Sequence, residues 1–319
     1  MSTVPSELAV EVEKLGASPI GGAPSPARRI LSSLRGSPAV LLSAAFIAAV
    51  ILLAILAPVL AKISGWGPFD FDPSAINADL GGIPIGPGGG ISAEHWFGVE
   101  PQNGRDIFAR IAYGARVSLM IAVSATIVTT VTGVVLGMVA GFYGGWVDQV
   151  ISRVMDFLMA FPSLIFMIAL LSALPAGNRP VLLVIVLSIF GWPYTARIIR
   201  GQTMSLRNRE FVEAARASGA SSRRIIFTEV LPNLRGTIIV LGTLAIPGYI
   251  GTEAGLSFLG VGVMPPTPSW GQMISTAVGW YSVDPMYFLI PGTFLFLTVL
   301  SFTVLGDHLR KALDGRDAA

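Results

Sequence analysis

An all-α, polytopic membrane protein with six transmembrane helices and cytoplasmic termini is the architecture to expect, on three observations. The chain of 319 residues is 53% hydrophobic and only 13% charged, more apolar surface than a water-soluble fold covers. Its apolar residues fall in runs of about 20, the length that crosses a bilayer. Its basic residues concentrate in segments that an even number of crossings puts on one side. The net charge of +2 is close to neutral, so nothing marks nucleic acid as a partner. Cysteine is absent, which excludes disulfides and thiolate metal sites.

Residues 1–37 are polar, with Pro, Ser and Gly, and read as a cytoplasmic tail. The first apolar run starts too far in, and is too long, for a cleaved secretory signal. Within the tail, residues 26–35 set Ile30, Leu31 and Leu34 on one face and Arg28, Arg29 and Arg35 elsewhere. That pattern fits a short helix on an anionic inner leaflet, or equally a basic tail that only sets orientation. Residues 38–60 form the first transmembrane helix. Residues 61–106 are Gly/Pro-rich and weakly acidic, with Asp70, Asp72, Asp79, Glu94 and Glu100, and read as an extracytoplasmic loop without a core of its own.

Residues 107–306 hold five further spans. The second lies within 113–143, where Gly133, Gly137, Gly141 and Gly145 recur every four residues, a period that lets helix backbones approach closely in lipid. The third covers about 155–174, with Asp156 near its start and Pro162 inside. The fourth covers about 181–199, with Pro193 inside. Prolines in membrane helices often mark kinks, which makes Pro162 and Pro193 candidates for a pathway or gate. The fifth and sixth spans cover about 237–259 and 287–305, and residues 307–319 form a charged cytoplasmic tail.

Charge fixes the orientation. Lys14, Arg28, Arg29 and Arg35 precede the first span; Arg200, Arg207, Arg209, Arg216, Arg223, Arg224 and Arg235 lie between the fourth and fifth; Arg310, Lys311 and Arg316 follow the sixth. Six crossings put all three groups on one face, which the positive-inside rule makes cytoplasmic. The outer segments carry few basic residues apart from Arg105, Arg110 and Arg116, beside the second span.

The island at 200–235 is polar yet patterned. Phe211, Ala214, Ala215 and Ser218 recur at helical spacing, and Glu210 and Glu213 sit in the first turn, where the helix dipole favours acids. Gly219 ends that helix, Ser221 or Ser222 caps a second, and the second stops at Pro232. A small-residue face flanked by acids has the shape of a plug for another protein's groove; a plain surface helix is the other reading.

Glu253 is an ionisable group inside an apolar span, where such groups face a cavity or a partner. It lies about 24 Å along the fifth span from Thr237, near the outer surface. Two readings stand: a pathway or gate residue together with Ser257, or an interfacial carboxylate bonded to loop backbone. Gly251 and Gly255 flank it at the four-residue period, which predicts a close helix contact there.

Enzyme chemistry finds no support. A phosphate-binding loop needs Gly-Lys-Ser/Thr, and the chain's lysines, Lys14, Lys62 and Lys311, never follow a glycine. No His-Glu-x-x-His zinc motif is present. The stretch Gly255-Leu256-Ser257-Phe258 loosely resembles the serine motif of intramembrane proteases, but these need a histidine base at membrane depth, and His308 lies beyond the sixth span. A secondary transporter would carry buried mid-membrane acids and inverted repeats, and neither is visible.

Glu213-Ala214-Ala215, then Gly219, then Leu231-Pro232 closely resembles the EAA loop of ABC-importer permeases, although Glu229 stands where that pattern has an apolar residue. Ile226 and Val230 are at hand for its role. Further stretches resemble the permeases of the dipeptide/oligopeptide/nickel group, C-type: Trp96-Phe97-Gly98-Val99 through Gly104-Arg105-Asp106, then Tyr113-Gly114-Ala115-Arg116, Met155-Asp156, Phe161-Pro162-Ser163, Thr252-Glu253-Ala254, Leu256-Ser257-Phe258-Leu259-Gly260, Pro265-Pro266-Thr267-Pro268-Ser269-Trp270-Gly271 and Leu305-Gly306-Asp307. The resemblance spans roughly residues 95–316. It implies a type I ABC-importer permease fold in a bacterial cytoplasmic membrane. It also implies a heterodimer with a homologous B-type permease, two ABC ATPase subunits that hold the ATP and Mg, and an extracytoplasmic binding protein. This chain would bind no cofactor or metal and catalyse nothing. Phe211, Glu213, Ala214, Ala215, Gly219, Ala220, Leu231 and Pro232 would couple it to the ATPase. The implied cargo is a di- or oligopeptide, with nickel, glutathione or another small solute as alternatives.

Overall fold

The computed structural model describes residues 37–175 and 177–314. The tail reading over 1–36, including the short helix at 26–35, lies outside the described residues. Helix α1 (Pro38–Ser64) starts with Pro38 in its first turn and ends at Gly65 in the left-handed conformation. Helix α2 (Ile107–Tyr143) is 37 residues long and is capped by Asp106, whose carboxylate accepts the Ala109 N–H at 2.6 Å. Then follow α3 (Gly145–Ala160), α4 (Ser163–Ala173), α5 (Arg179–Leu206), α6 (Glu210–Ala217), α7 (Ser222–Phe258), α8 (Trp270–Ala277) and α9 (Pro285–Asp314).

Five of these helices, α1, α2, α5, α7 and α9, are long and apolar enough to cross a membrane, and the pair α3–α4 makes a sixth if counted as one broken span. The expected continuous third span is thus two helices bent by 85°. Pro162 causes the break. Phe161 before it takes an extended conformation (φ −96°, ψ 147°), as a residue preceding proline favours. Pro193 sits inside α5 without breaking it.

Helix α2 is the spine. Its glycines face α5 so closely that a Cβ on Gly137 would stand 2.6 Å from the Ala196 carbonyl, and one on Gly141 2.6 Å from the Arg200 carbonyl. The four-residue repeat is therefore a packing seam up to Gly141. Gly145 is not part of it: it begins α3 at φ 57° with open space around it. The contact expected at Gly251 and Gly255 is also absent, since nothing lies within 4 Å of either position's Cβ direction. Helices α1, α2, α7, α8 and α9 enclose one apolar cluster that includes Ile47, Ile111, Ile250, Trp270 and Phe302.

Residues 61–106 are not the coreless loop expected. They form tight turns, a two-residue antiparallel ladder pairing Ile76 with Pro84 and Asn77 with Ile83, and a buried polar clasp. Glu100 accepts the Arg105 Nε–H at 2.7 Å, lies 2.5 Å from Arg110 Nε and accepts the Tyr287 hydroxyl at 3.1 Å. His95 bridges Asp106 at 2.9 Å and Asp72 at 3.2 Å. The Ser74 hydroxyl leads in holding the Asp72 carboxyl below its ordinary range, while burial pushes Asp106 above its own. Gly104 makes the fold of this segment possible: a Cβ there would stand 2.0 Å from the Asp72 carbonyl. The helix α9 carries the chain through residue 314, so most of the expected C-terminal tail continues the last span as helix.

Candidate functional site

On the cytoplasmic side, α6, the turn after it and the first turns of α7 form one compact projection. Helix α6 keeps Glu210 and Glu213 in its first turn and Arg216 in its last, the charge order that complements the helix dipole. Gly219 ends it at φ 79°. There the Ala220 N–H reaches the Ala215 carbonyl at 3.0 Å and the Gly219 N–H the Arg216 carbonyl at 2.9 Å, a Schellman-type closure. Nothing lies within 4 Å of a Cβ built at Gly219, so backbone conformation, not crowding, demands glycine. Ser221 then caps α7 by accepting the Arg224 N–H at 3.4 Å.

The projection has an inner and an outer face. Val212 is fully buried and, with Ile225, Ile226 and Val230, packs on Val134, Met138 and Phe142 of α2, on Ile199 of α5 and on Leu234 of α7. Ala215, Ala220 and Leu231 are half-buried on the same cluster. Phe211, Glu213, Ala214 and Ser218 face outward, with Phe211 38% exposed. So the expected face of Phe211, Ala214, Ala215 and Ser218 is real except at Ala215, which leans toward the body. The buried positions Ile226 and Val230 serve the packing that Glu229, half-exposed beside Thr228, does not.

The second helix does not stop at Pro232. It runs on as the 37 residues of α7, through a π-turn at Ile226–Val230 that ends just before Leu231-Pro232. The wider turn accommodates a residue that lacks an N–H. The Asn233 side-chain amide then donates to the Glu229 carbonyl at 2.6 Å. The second helix of the projection and the fifth span are thereby one continuous helix.

Sequence reasoning missed Val212, whose apolar character is visible but whose inward direction depends on α2. It also missed the ties between the break and α5. Arg200 grips Asp148 of α3 by two bonds, Arg197 reaches Asp156 at 2.6 Å, and Arg207 donates to the Gly141 carbonyl at 3.1 Å.

Of the pathway candidates, Glu253 and Ser257 meet each other, whereas Pro162 lies at the α3–α4 break and Pro193 on α5. Glu253 is fully buried: it accepts the Ser118 hydroxyl of α2 at 2.8 Å and the Ser257 hydroxyl at 2.7 Å. Ser257 in turn accepts the Val263 N–H at 2.9 Å, and Ser118 the Trp270 N–H at 3.4 Å. The carboxylate thus ties the α7–α8 loop to α2 through two hydroxyls and meets no open surface in this conformation. Ser257 faces a carboxylate and an amide, with no histidine among its hydrogen-bond partners. Pro193 is buried on α5, whereas Pro162 is exposed at the helix break, between Phe161 and a half-exposed aromatic row through Phe166 to Phe190. Among the described residues no group of three His, Cys, Asp or Glu is arranged to hold a metal.

Comparison with known proteins accounts for this arrangement. The chain is 41% identical over 290 residues to the glutathione transport system permease protein GsiD of Salmonella typhimurium, covering 91% of this chain and 90% of that one. It is 38% identical over 266 residues to the oligopeptide transport system permease protein OppC of Bacillus subtilis, covering 83% and 81%. A solved inward-facing structure of the MetNI methionine ABC transporter aligns with 64% of this chain and 96% of its own at a TM-score of 0.51 and 18% identity, which shows the shared fold. Residues 133–316, from the α2–α5 seam to just beyond α9, match the family described as "Binding-protein-dependent transport system inner membrane component". The chain belongs to that family: it is an inner-membrane permease subunit of a bacterial ABC importer with the type I permease fold.

Proposed function

We propose that this permease forms half of the pathway of an importer for small peptides and takes its drive from a separate ATPase through the outward face of α6. The carrying observation is the two-faced projection: Val212 anchors it to α2, while Phe211, Glu213 and Ala214 stand uncovered around the left-handed turn at Gly219. An exposed aromatic beside small residues on a charged surface fits insertion into a groove. The continuity of α6, turn and α7 supports direct transmission: a shift of the docked helix moves the fifth span, and the cavity between two permeases opens or closes with it. ATP and Mg belong to the partner subunits, and a homologous permease and an external binding protein complete the assembly.

Peptide cargo is supported by the relatives, one named for oligopeptides and one for glutathione, itself a small peptide. Because the chain has no cysteine, Ala214→Cys introduces a unique thiol. In native membranes that thiol is expected to crosslink to an ATPase subunit, and mass spectrometry of the mild-detergent complex to find that ATPase and a second permease. A chain that purifies alone and crosslinks to nothing defeats the docking reading. Uptake of labelled glutathione, dipeptide, oligopeptide and nickel by the complex with its binding protein then ranks the substrates, and nickel uptake without peptide uptake overturns the peptide reading.

A further inference from the structure

A groove of about 450 Å³ opens between α1, α2 and α9 on the outer half of the molecule, away from the cytoplasmic projection and from the helix break. Its walls are Ile51 and Ile55 of α1, Leu119, Met120 and Val123 of α2, and Phe302 of α9. One lining residue is charged: Arg116. Its neighbours along the chain, Arg105 and Arg110, are both paired with Glu100. Arg116 is exposed, and among the described residues no carboxylate, carbonyl or ring engages it.

Its depth is informative. From Val117 to its end at Tyr143 helix α2 carries no charged residue, about 39 Å of rise against a hydrocarbon layer of about 30 Å. Arg116 is the last charge on α2 before that run and stands on its outer side, where a long cationic side chain extends its head toward the headgroups. Helix α1 offers the matching apolar surface, since Leu52, Ile55, Val59 and Ile63 are exposed along it and the groove joins that face at Ile55.

We propose that this groove is a lipid site, in which an acyl chain of an outer-leaflet anionic glycerophospholipid lies along Ile51, Ile55 and Phe302 while its phosphate pairs with Arg116. A guanidinium offers a planar fork that fits phosphate oxygens. A protein partner would have to set an acidic side chain directly beside an apolar one to match both features of the groove. A phospholipid brings its phosphate with the chain attached.

The test uses the whole transporter, delipidated in mild detergent and titrated with phosphatidylglycerol or phosphatidylethanolamine under native mass spectrometry. The wild type is expected to retain one phosphatidylglycerol. Arg116→Gln should weaken that binding about tenfold, the worth of one charge-assisted pair, and Arg116→Lys should recover part of it. Ile55→Trp fills the groove but keeps the cation, and it too should lose the bound lipid. A photo-crosslinking residue at Met120 in the otherwise wild-type chain should capture lipid. Equal retention by Arg116→Gln, equal binding of phosphatidylethanolamine, or capture of a polypeptide at Met120 would each overturn the assignment.

Discussion

At the outer end of this protein one set of charges lies under protein. Glu100 and Asp106 are 1% exposed, His95 3% and Arg110 0%, and each has its partner within the same chain. At the cytoplasmic end Glu210, Glu213, Arg216, Arg223 and Arg224 stand in water, and the apolar side chains among them, Phe211 and Phe227, are exposed as well. The outer end is closed upon itself, with residues from the first loop, α2, α8 and α9 meeting through Glu100, Arg110, Gln272 and Tyr287. The inner end is closed on one side only, through Val212 and the start of α7. Buried interactions are thus concentrated at the outer end, and exposed ones on the face proposed to dock. Ion pairing also bears on why Arg105 and Arg110 sit on the outside against the general charge rule: both are buried against Glu100, whose carboxylate offsets one of the two charges.

The sharpest break of this contrast is Gly219→Asp. The turn has room for the side chain but not the conformation, and the added group stands on the face proposed to dock. Substrate-stimulated ATPase activity and uptake are expected to fall to background while the protein still inserts and keeps its outer fold; wild-type uptake would remove the coupling role. Next in size is Glu100→Ala, which leaves two buried arginines uncompensated. A destabilisation of about 3–5 kcal/mol is expected, seen as a large drop in the melting temperature of the purified complex. A drop no larger than that of an exposed Glu213→Ala control would show the outer clasp to be dispensable. Val212→Ala follows, at about 1.5–3 kcal/mol of lost burial. Because only the back of the projection is affected, hydrogen exchange should rise in α6 and the turn and stay unchanged around Glu100. Uniform exchange changes would mean that the two ends are not independent.

How much of this was legible follows from the range over which each feature is decided. Five spans are readable because run length and charge decide them locally, and so is the left-handed end of α6 at Gly219. The break at Pro162 is not. Pro193, Pro247 and Pro291 are buried within unbroken helices, whereas Pro162 is exposed, with no neighbouring helix to hold the chain straight. The glycine repeats show the same limit. Gly137 and Gly141 meet α5, while Gly251 and Gly255, at the same period, face no described residue within 4 Å of a Cβ. The period states that close approach is permitted, and only the tertiary arrangement supplies the neighbour. The His95 clasp leaves no local mark in the sequence because its partners stand 11 and 23 residues away, and α7 runs past Pro232 because one wide turn absorbs the missing donor.

The smallest expected effect falls at Glu253, where the comparison is most easily misjudged, since an acid within a span is the usual mark of a pathway. Here both carboxylate oxygens accept serine hydroxyls, and those serines accept the Val263 and Trp270 N–H groups. Glu253→Gln preserves shape and one acceptor but turns a donor toward a hydroxyl oxygen already occupied by an amide. The loss is that of one buried hydrogen bond, about 1–3 kcal/mol, confined to the α7–α8 loop. Thermal stability should fall modestly, and substrate KM should hold, because no ligand reaches a carboxylate with no exposed surface. A KM change of about tenfold with unchanged stability, equivalent to about 1.4 kcal/mol of substrate interaction, would mean that the outer end opens during transport and that Glu253 then meets the cargo. The closed network would in that case be one of two states of a gate.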